Sequence, residues 1–108
     1  MNRAIVYLLI ALTEALISAV HAQNVPQRVA ILGDSITYDG RWVTQVEASL
    51  RANQEFATAE IINFGLGSET LSGLSEAGHA DGKFPRPCLH ERLARILAAF
   101  KPTLVLAC

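Results

Sequence analysis

Residues 28–37 read Arg-Val-Ala-Ile-Leu-Gly-Asp-Ser-Ile-Thr. The apolar run from Arg28 to Leu32 stops at Gly33 and Asp34, which is the pattern of a buried parallel strand that enters a tight turn. Ser35 comes just after the carboxyl end of this strand, where the backbone turns out of the sheet, so we expect its hydroxyl to face solvent. The simpler interpretation is that Asp34 and Ser35 only cap a helix, a common role for both residue types.

The rest of the chain predicts strands that alternate with helices. Trp42, Val43, Val46 and Leu50 recur at helical spacing, and Trp42 is predicted to lie in the core rather than against a ligand. This alternation predicts an α/β fold with a parallel sheet and right-handed crossovers, whose sites lie at the carboxyl ends of the strands. The later predicted elements are a helix at 41–53, a strand at 59–64, a short helix from Glu69, a surface loop at 78–87, a helix at 90–100 and a strand at 103–108.

A second special turn is predicted at the same edge of the sheet. The strand at 59–64 runs into Asn-Phe-Gly-Leu-Gly-Ser-Glu-Thr at 63–70, a glycine-rich segment. Because the carboxyl ends of parallel strands meet at one edge, we expect this segment to lie beside the turn that carries Ser35. Glycine permits close backbone approach, and free backbone N–H groups stabilise a developing oxyanion. The pair of turns therefore predicts a site suited to acyl transfer.

These two segments resemble sequence blocks of the SGNH/GDSL hydrolase (esterase/lipase) family. Val-Ala-Ile-Leu-Gly-Asp-Ser-Ile-Thr at 29–37 resembles the first block, and residues 63–70 resemble the second, N-x-G-x-x-G-(D/E)-T. Lys-Pro-Thr-Leu-Val-Leu at 101–106 resembles the strand that leads into the third block. The resemblance extends from Arg28 to Cys108, and it implies a three-layer α/β/α flavodoxin-like sandwich around a parallel sheet.

The resemblance implies a role for each matching residue. Ser35 would be the nucleophile, and its own backbone N–H would be the first oxyanion donor. The second oxyanion donor falls at Ser68, where the family has glycine, with Gly67 just before it. A backbone N–H survives this replacement, so both residues stay candidates for the second donor. The residues that would support the two turns are Asp34, Gly33 and Asn63.

The activity that the resemblance implies is hydrolysis of an ester through a serine acyl-enzyme. The substrate would be a small-molecule or carbohydrate ester, either a carbohydrate O-acetyl ester or a simple acyl or lipid ester. No cofactor is implied, and no CxxC or HxxxH spacing suggests a metal site. The formal net charge of −1 gives no indication of nucleic-acid binding. The alternative is a non-catalytic flavodoxin-like binding or interaction module, whose turns hold a phosphate or sugar without chemistry.

Two parts of the family pattern do not occur in the 108 residues: a Gly-x-Asn block after the last strand, and an Asp-x-x-His that would activate the serine. A serine without a base is a poor nucleophile. We therefore expect these residues to be the N-terminal part of a hydrolase domain and to be inactive alone. Glu76-Ala-Gly-His79 places an acid three residues before a histidine, but a surface-loop histidine is the commoner explanation.

The first 22 residues are predicted to be a signal peptide. Arg3 is followed by an apolar stretch at 4–20, and small Ala22 precedes the expected cleavage site. Cleavage would leave residues 23–108 as part of an exported protein, periplasmic or extracellular, without a stable membrane span. The alternative is a retained transmembrane helix, which Glu14 disfavours because an acidic residue at the centre of a bilayer is costly.

The chain has two cysteines, Cys88 and Cys108. A disulfide between them would form in an oxidising compartment, but their spacing is not that of a known disulfide framework. Two free thiols are therefore the favoured prediction.

Overall fold

The structure is a computed structural model that describes Tyr7, Thr13 and residues 26–108. The predicted signal peptide at 1–22 lies outside the described residues, apart from Tyr7 and Thr13. No helix within the described part combines the length and the hydropathy of a membrane span. The elements are β1 (Arg28–Leu32), α1 (Ser35–Asp39), α2 (Arg41–Arg51), β2 (Glu60–Asn63), α3 (Leu89–Phe100) and β3 (Leu104–Ala107), with short 3-10 helices at Gln54–Phe56 and His79–Gly82.

β1 is the central strand of a three-stranded parallel sheet with the order β2-β1-β3. Ile31 is in register with Asn63 of β2, and Leu32 is in register with Ala107 of β3. Residues 29–32 are buried, with exposed fractions of 0 to 3%, as expected of a strand that is covered on both faces. The predicted α/β fold with a parallel sheet is confirmed.

The core consists of two clusters that take different residues of β1. Ile31 packs with Val43 of α2 in the first cluster, and Leu32 packs with Ile96 of α3 in the second. Successive side chains of a strand point to opposite faces, so α2 and α3 contact opposite faces of β1. Trp42 is half-buried and packs against the first cluster, as expected for the apolar face of its helix.

The short helix predicted from Glu69 is wrong. Thr70 instead forms a parallel bridge with Cys88. The N–H of Thr70 donates to Pro87 O at 3.0 Å, and Thr70 O accepts from Leu89 N at 2.9 Å. A helix from Glu69 would need Thr70 O to accept from the N–H four residues later. That oxygen is instead bonded to Leu89 N, so pairing with a segment distant in sequence overrides the local pattern.

The remaining elements lie close to their predicted bounds. α2 ends at Arg51 rather than at residue 53, and α3 begins at Leu89 rather than at residue 90. β2 and β3 are each one residue shorter at both ends than predicted. In the predicted surface loop at 78–87, residues 79–82 form a tight turn in which Ala80 and Asp81 have left-handed φ angles of 51° and 55°, unlike those of a regular 3-10 helix.

Thr37 of α1 is the point at which the turns after β1 and β2 meet, and its exposed fraction is only 1%. A Cβ atom at Gly33 would lie 2.1 Å from Thr37 Oγ1, and a Cβ atom at Gly65 would lie 2.4 Å from Tyr38 N. Real Cβ atoms essentially never approach other atoms closer than 3.0 Å. Glycine at these two positions is therefore what lets the turns close around Thr37.

We expect Gly65→Ala to lower the free energy of unfolding by about 1–3 kcal/mol, because the new methyl group would meet the backbone of α1. Gly67→Ala is the matched control, since a Cβ atom there has no neighbour within 4 Å, and its effect should stay within about 0.5 kcal/mol. Urea denaturation of both variants measures the difference. Equal effects of the two substitutions would contradict the proposed packing.

Candidate functional site

Ser35 is the first residue of α1, and it is exposed. Asp34 caps this helix: its Oδ1 accepts a hydrogen bond from Ile36 N at 2.9 Å, and its backbone O accepts from Tyr38 N at 2.9 Å. The N–H of the first helical residue has no acceptor inside the helix. Within the described part of the chain, neither this N–H nor the hydroxyl of Ser35 has a hydrogen-bond partner. The cap thus leaves both groups of Ser35 open to a ligand.

Hydrogen bonds join the turn after β2 directly to the turn that carries Ser35. The side chain of Asn63 bonds to both turns. Its Nδ2 donates to Thr37 O at 2.7 Å, and its Oδ1 accepts from Gly65 N at 2.8 Å. Leu66 N donates to Gly33 O at 2.9 Å. The predicted juxtaposition of the two turns is therefore present in the structure, and Asn63 is the side chain that connects them.

Residues 66–69 form a β-turn that contains both candidate oxyanion donors. Glu69 N donates to Leu66 O at 3.1 Å and closes the turn. Ser68, its third residue, has a φ of +64° while the φ of Gly67 is not positive, as in a type II turn. No acceptor among the described residues takes the N–H of Gly67 or of Ser68. Both candidate oxyanion donors are thus available to a ligand.

Ser68 holds a left-handed backbone conformation that favours glycine. We expect Ser68→Gly to raise the free energy of unfolding by about 0.5–1 kcal/mol, because removing Cβ relieves this strain by more than the added freedom of the unfolded chain costs. Ser49→Gly, at an exposed position inside α2, is the control and should lower the same quantity by about 0.5 kcal/mol. Thermal or urea unfolding compares the two, and destabilisation by Ser68→Gly would disprove the strain.

A buried ion pair anchors the second turn to α3. The side chain of Glu69 is 2% exposed and that of Arg92 is 18% exposed. Arg92 Nη2 donates to Glu69 Oε2 at 2.8 Å, and Arg92 Nε donates to Glu69 Oε1. Arg92 Nη2 also donates to Phe64 O at 2.5 Å. Sequence reasoning did not find Arg92. Its role follows from the burial of the Glu69 carboxylate, which needs a cation beside it, and the sequence does not show that this cation lies 23 positions further along the chain.

The side chains of Glu76 and His79, the alternative acid and histidine, do not bind each other, although His79 N donates to Glu76 O at 3.0 Å. Glu76 binds Arg86 through two hydrogen bonds, and the Arg86 guanidinium lowers the pKa of the Glu76 carboxyl to about 2. The ring of His79 instead packs edge-on against Phe84, with its Nε2 buried and unpartnered in the described structure. Neither His79 nor the exposed His90 forms a hydrogen bond with Ser35.

Other features of the described residues lie apart from the two turns. No cluster of three or more His, Cys, Asp or Glu side chains within them could hold a metal ion. Cys88 and Cys108 are free thiols. A groove of about 440 Å³ runs along α2, lined by residues between Trp42 and Asn53 and by none of the residues in either turn.

Comparison with known proteins gives no match for the chain among family models, curated proteins or solved structures. The resemblance to SGNH/GDSL hydrolases therefore stays a prediction. Support for a function comes from the chemical groups that the two turns present.

Proposed function

We propose that this chain carries the nucleophile and two oxyanion donors of a secreted ester hydrolase of the SGNH/GDSL type. One observation supports this most strongly: the turn that carries Ser35 is held beside the turn that carries Gly67 and Ser68, and among the described residues the Ser35 hydroxyl and all three N–H groups have no hydrogen-bond partner. The bonds of Asn63 to both turns fix this arrangement. A nucleophile beside preorganised N–H donors is what acyl transfer requires.

In the proposed reaction, Ser35 Oγ attacks the carbonyl carbon of the ester and loses its proton to a general base. The electron pair of the carbonyl bond moves to oxygen, and the N–H of Ser35 together with that of Gly67 or Ser68 stabilises this oxyanion. Collapse of the tetrahedral intermediate breaks the bond to the alcohol, which takes the proton from the base. A water molecule then hydrolyses the acyl-enzyme by the same steps.

The general base in this proposal is the histidine of an Asp-x-x-His segment, as the resemblance implies. The proposal therefore concerns the complete gene product and requires that it contain such a segment. It extends to a three-layer α/β/α flavodoxin-like sandwich, in which α2 and α3 on opposite faces of β1 would form parts of the outer layers. We also propose that the protein is exported. Its substrate in this proposal is a carbohydrate O-acetyl ester or a simple acyl or lipid ester.

Free N–H groups in such turns would also bind an anion in a non-catalytic module. A fluorophosphonate separates the two functions, because it reacts covalently with an activated serine and not with a binding turn. We expect the complete gene product to be labelled at Ser35, with no labelling of Ser35→Ala. Ser72→Ala, which removes another exposed serine, should be labelled like the parent protein.

Peptide mass spectrometry after labelling identifies the modified residue. Labelling that persists in Ser35→Ala would disprove the role of Ser35. A complete gene product that takes up no label and hydrolyses no ester would favour the binding module.

A further inference from the structure

Arg92 bonds to the chain on both sides of the candidate donors Gly67 and Ser68. Its Nη2 donates to Phe64 O, the carbonyl just before the turn, at 2.5 Å, and also to Glu69 Oε2, at the end of the turn, at 2.8 Å. Its Nε donates to the other carboxylate oxygen of Glu69. The candidate donors Gly67 and Ser68 lie between these two points. One guanidinium therefore fixes the separation of these two points.

Burial and geometry both favour one fixed arrangement of this contact. The Glu69 side chain is 2% exposed, so its charge is shielded from water and depends on Arg92 for compensation. The two-pronged geometry of an arginine with a carboxylate also fixes direction as well as distance. Because the N–H of Glu69 closes the β-turn on Leu66 O, the position of Glu69 sets where Gly67 and Ser68 present their N–H groups.

Another arginine, Arg86, also bonds to the same turn. Arg86 Nη1 donates to Ser68 O at 3.3 Å. This contact is longer than those of Arg92, and the main partner of Arg86 is Glu76 in the neighbouring loop. Among the described residues, Arg92 is thus the cation that bonds to the chain both before and after the two candidate donors.

We propose that Arg92 is a positioning residue for the oxyanion hole, acting through Phe64 O and Glu69 on the N–H groups of Gly67 and Ser68. This inference rests on the proposed esterase function. In this role Arg92 acts through the turn and not by contact with substrate or the reacting atoms. Its contribution is to hold the donors where the oxyanion develops, and this charge exists only in the transition state and the tetrahedral intermediate.

Loss of this positioning should lower kcat more than it changes KM, because an interaction made only in the transition state does not contribute to binding of the ground state. We expect Arg92→Met to lower kcat for p-nitrophenyl acetate by about 10- to 100-fold, since a displacement of about 1 Å at such a site costs up to 10²-fold. KM should change by less than about threefold. The measurement uses the complete gene product, with concentrations corrected for the folded fraction.

Arg28→Met provides a matched control. Arg28 also forms an ion pair, with Glu60 at 3.0 Å, and lies 4.5 Å from the centre of the Phe100 ring. This pair is at the start of β1, whereas Ser35 follows the end of β1. The substitution should lower stability and leave kcat within about twofold of the parent value.

Arg92→Lys covers the case in which Arg92→Met fails to fold. Lysine keeps the positive charge beside Glu69, but a single ammonium does not reproduce the planar fork that binds the carboxylate and Phe64 O together. We expect kcat to fall by about 5-fold or more at an unchanged KM. Fluorescence-monitored urea unfolding determines whether each variant is folded under the assay conditions.

The outcomes distinguish this inference from the proposed function. If the parent protein hydrolyses the ester and is labelled at Ser35, but Arg92→Lys and Arg92→Met change kcat no more than Arg28→Met does, the positioning role is disproved and the esterase remains. If the parent protein neither hydrolyses the ester nor takes up the label, both proposals fail. A fall in kcat confined to the Arg92 variants is the expected result.

Discussion

The contact of Gly33 and Gly65 with Thr37 is the constraint on which the rest of the site depends. Two backbone turns can approach so closely only if neither carries a side chain at the point of contact, and a Cβ atom at either glycine would overlap α1. The contact has a cost, because Thr37 Oγ1 is buried without a hydrogen-bond partner among the described residues. Once the turns are this close, the hydrogen bonds of Asn63 can join them.

This constraint connects the sheet to the chemistry. β1 and β2 are parallel neighbours, so their carboxyl ends come to the same edge, where Phe64 N still bonds to Ile31 O at 2.7 Å. The turns that follow use many of their backbone groups to hold each other, and within the described part of the chain the N–H groups of Ser35, Gly67 and Ser68 are among those left without an acceptor. Hydrogen bonds that close the turns therefore also determine which donors remain for a ligand.

Local sequence patterns predict the parts of the fold that depend on neighbouring residues. The continuous apolar run of β1 indicates a buried strand, and the helical spacing around Val43 and Ile96 places α2 and α3 within a few residues of their bounds. The helix predicted from Glu69 is wrong because Thr70 pairs with Cys88, and this long-range pairing leaves no trace in the local pattern. The same limit applies to Arg92, whose place on a helix is predictable but whose partners Glu69 and Phe64 are not.

The candidate site follows the same division. Glycines and a serine after a strand identify the two turns from sequence, but the connecting role of Asn63 and the left-handed Ser68 depend on tertiary contacts. A crystal structure of the complete gene product phosphonylated at Ser35 tests the central claim most directly. Our account predicts a phosphonyl oxygen about 2.7–3.1 Å from Ser35 N and from the N of Gly67 or Ser68. An oxygen that lies in solvent, with no N–H of the second turn within hydrogen-bonding distance, would contradict it.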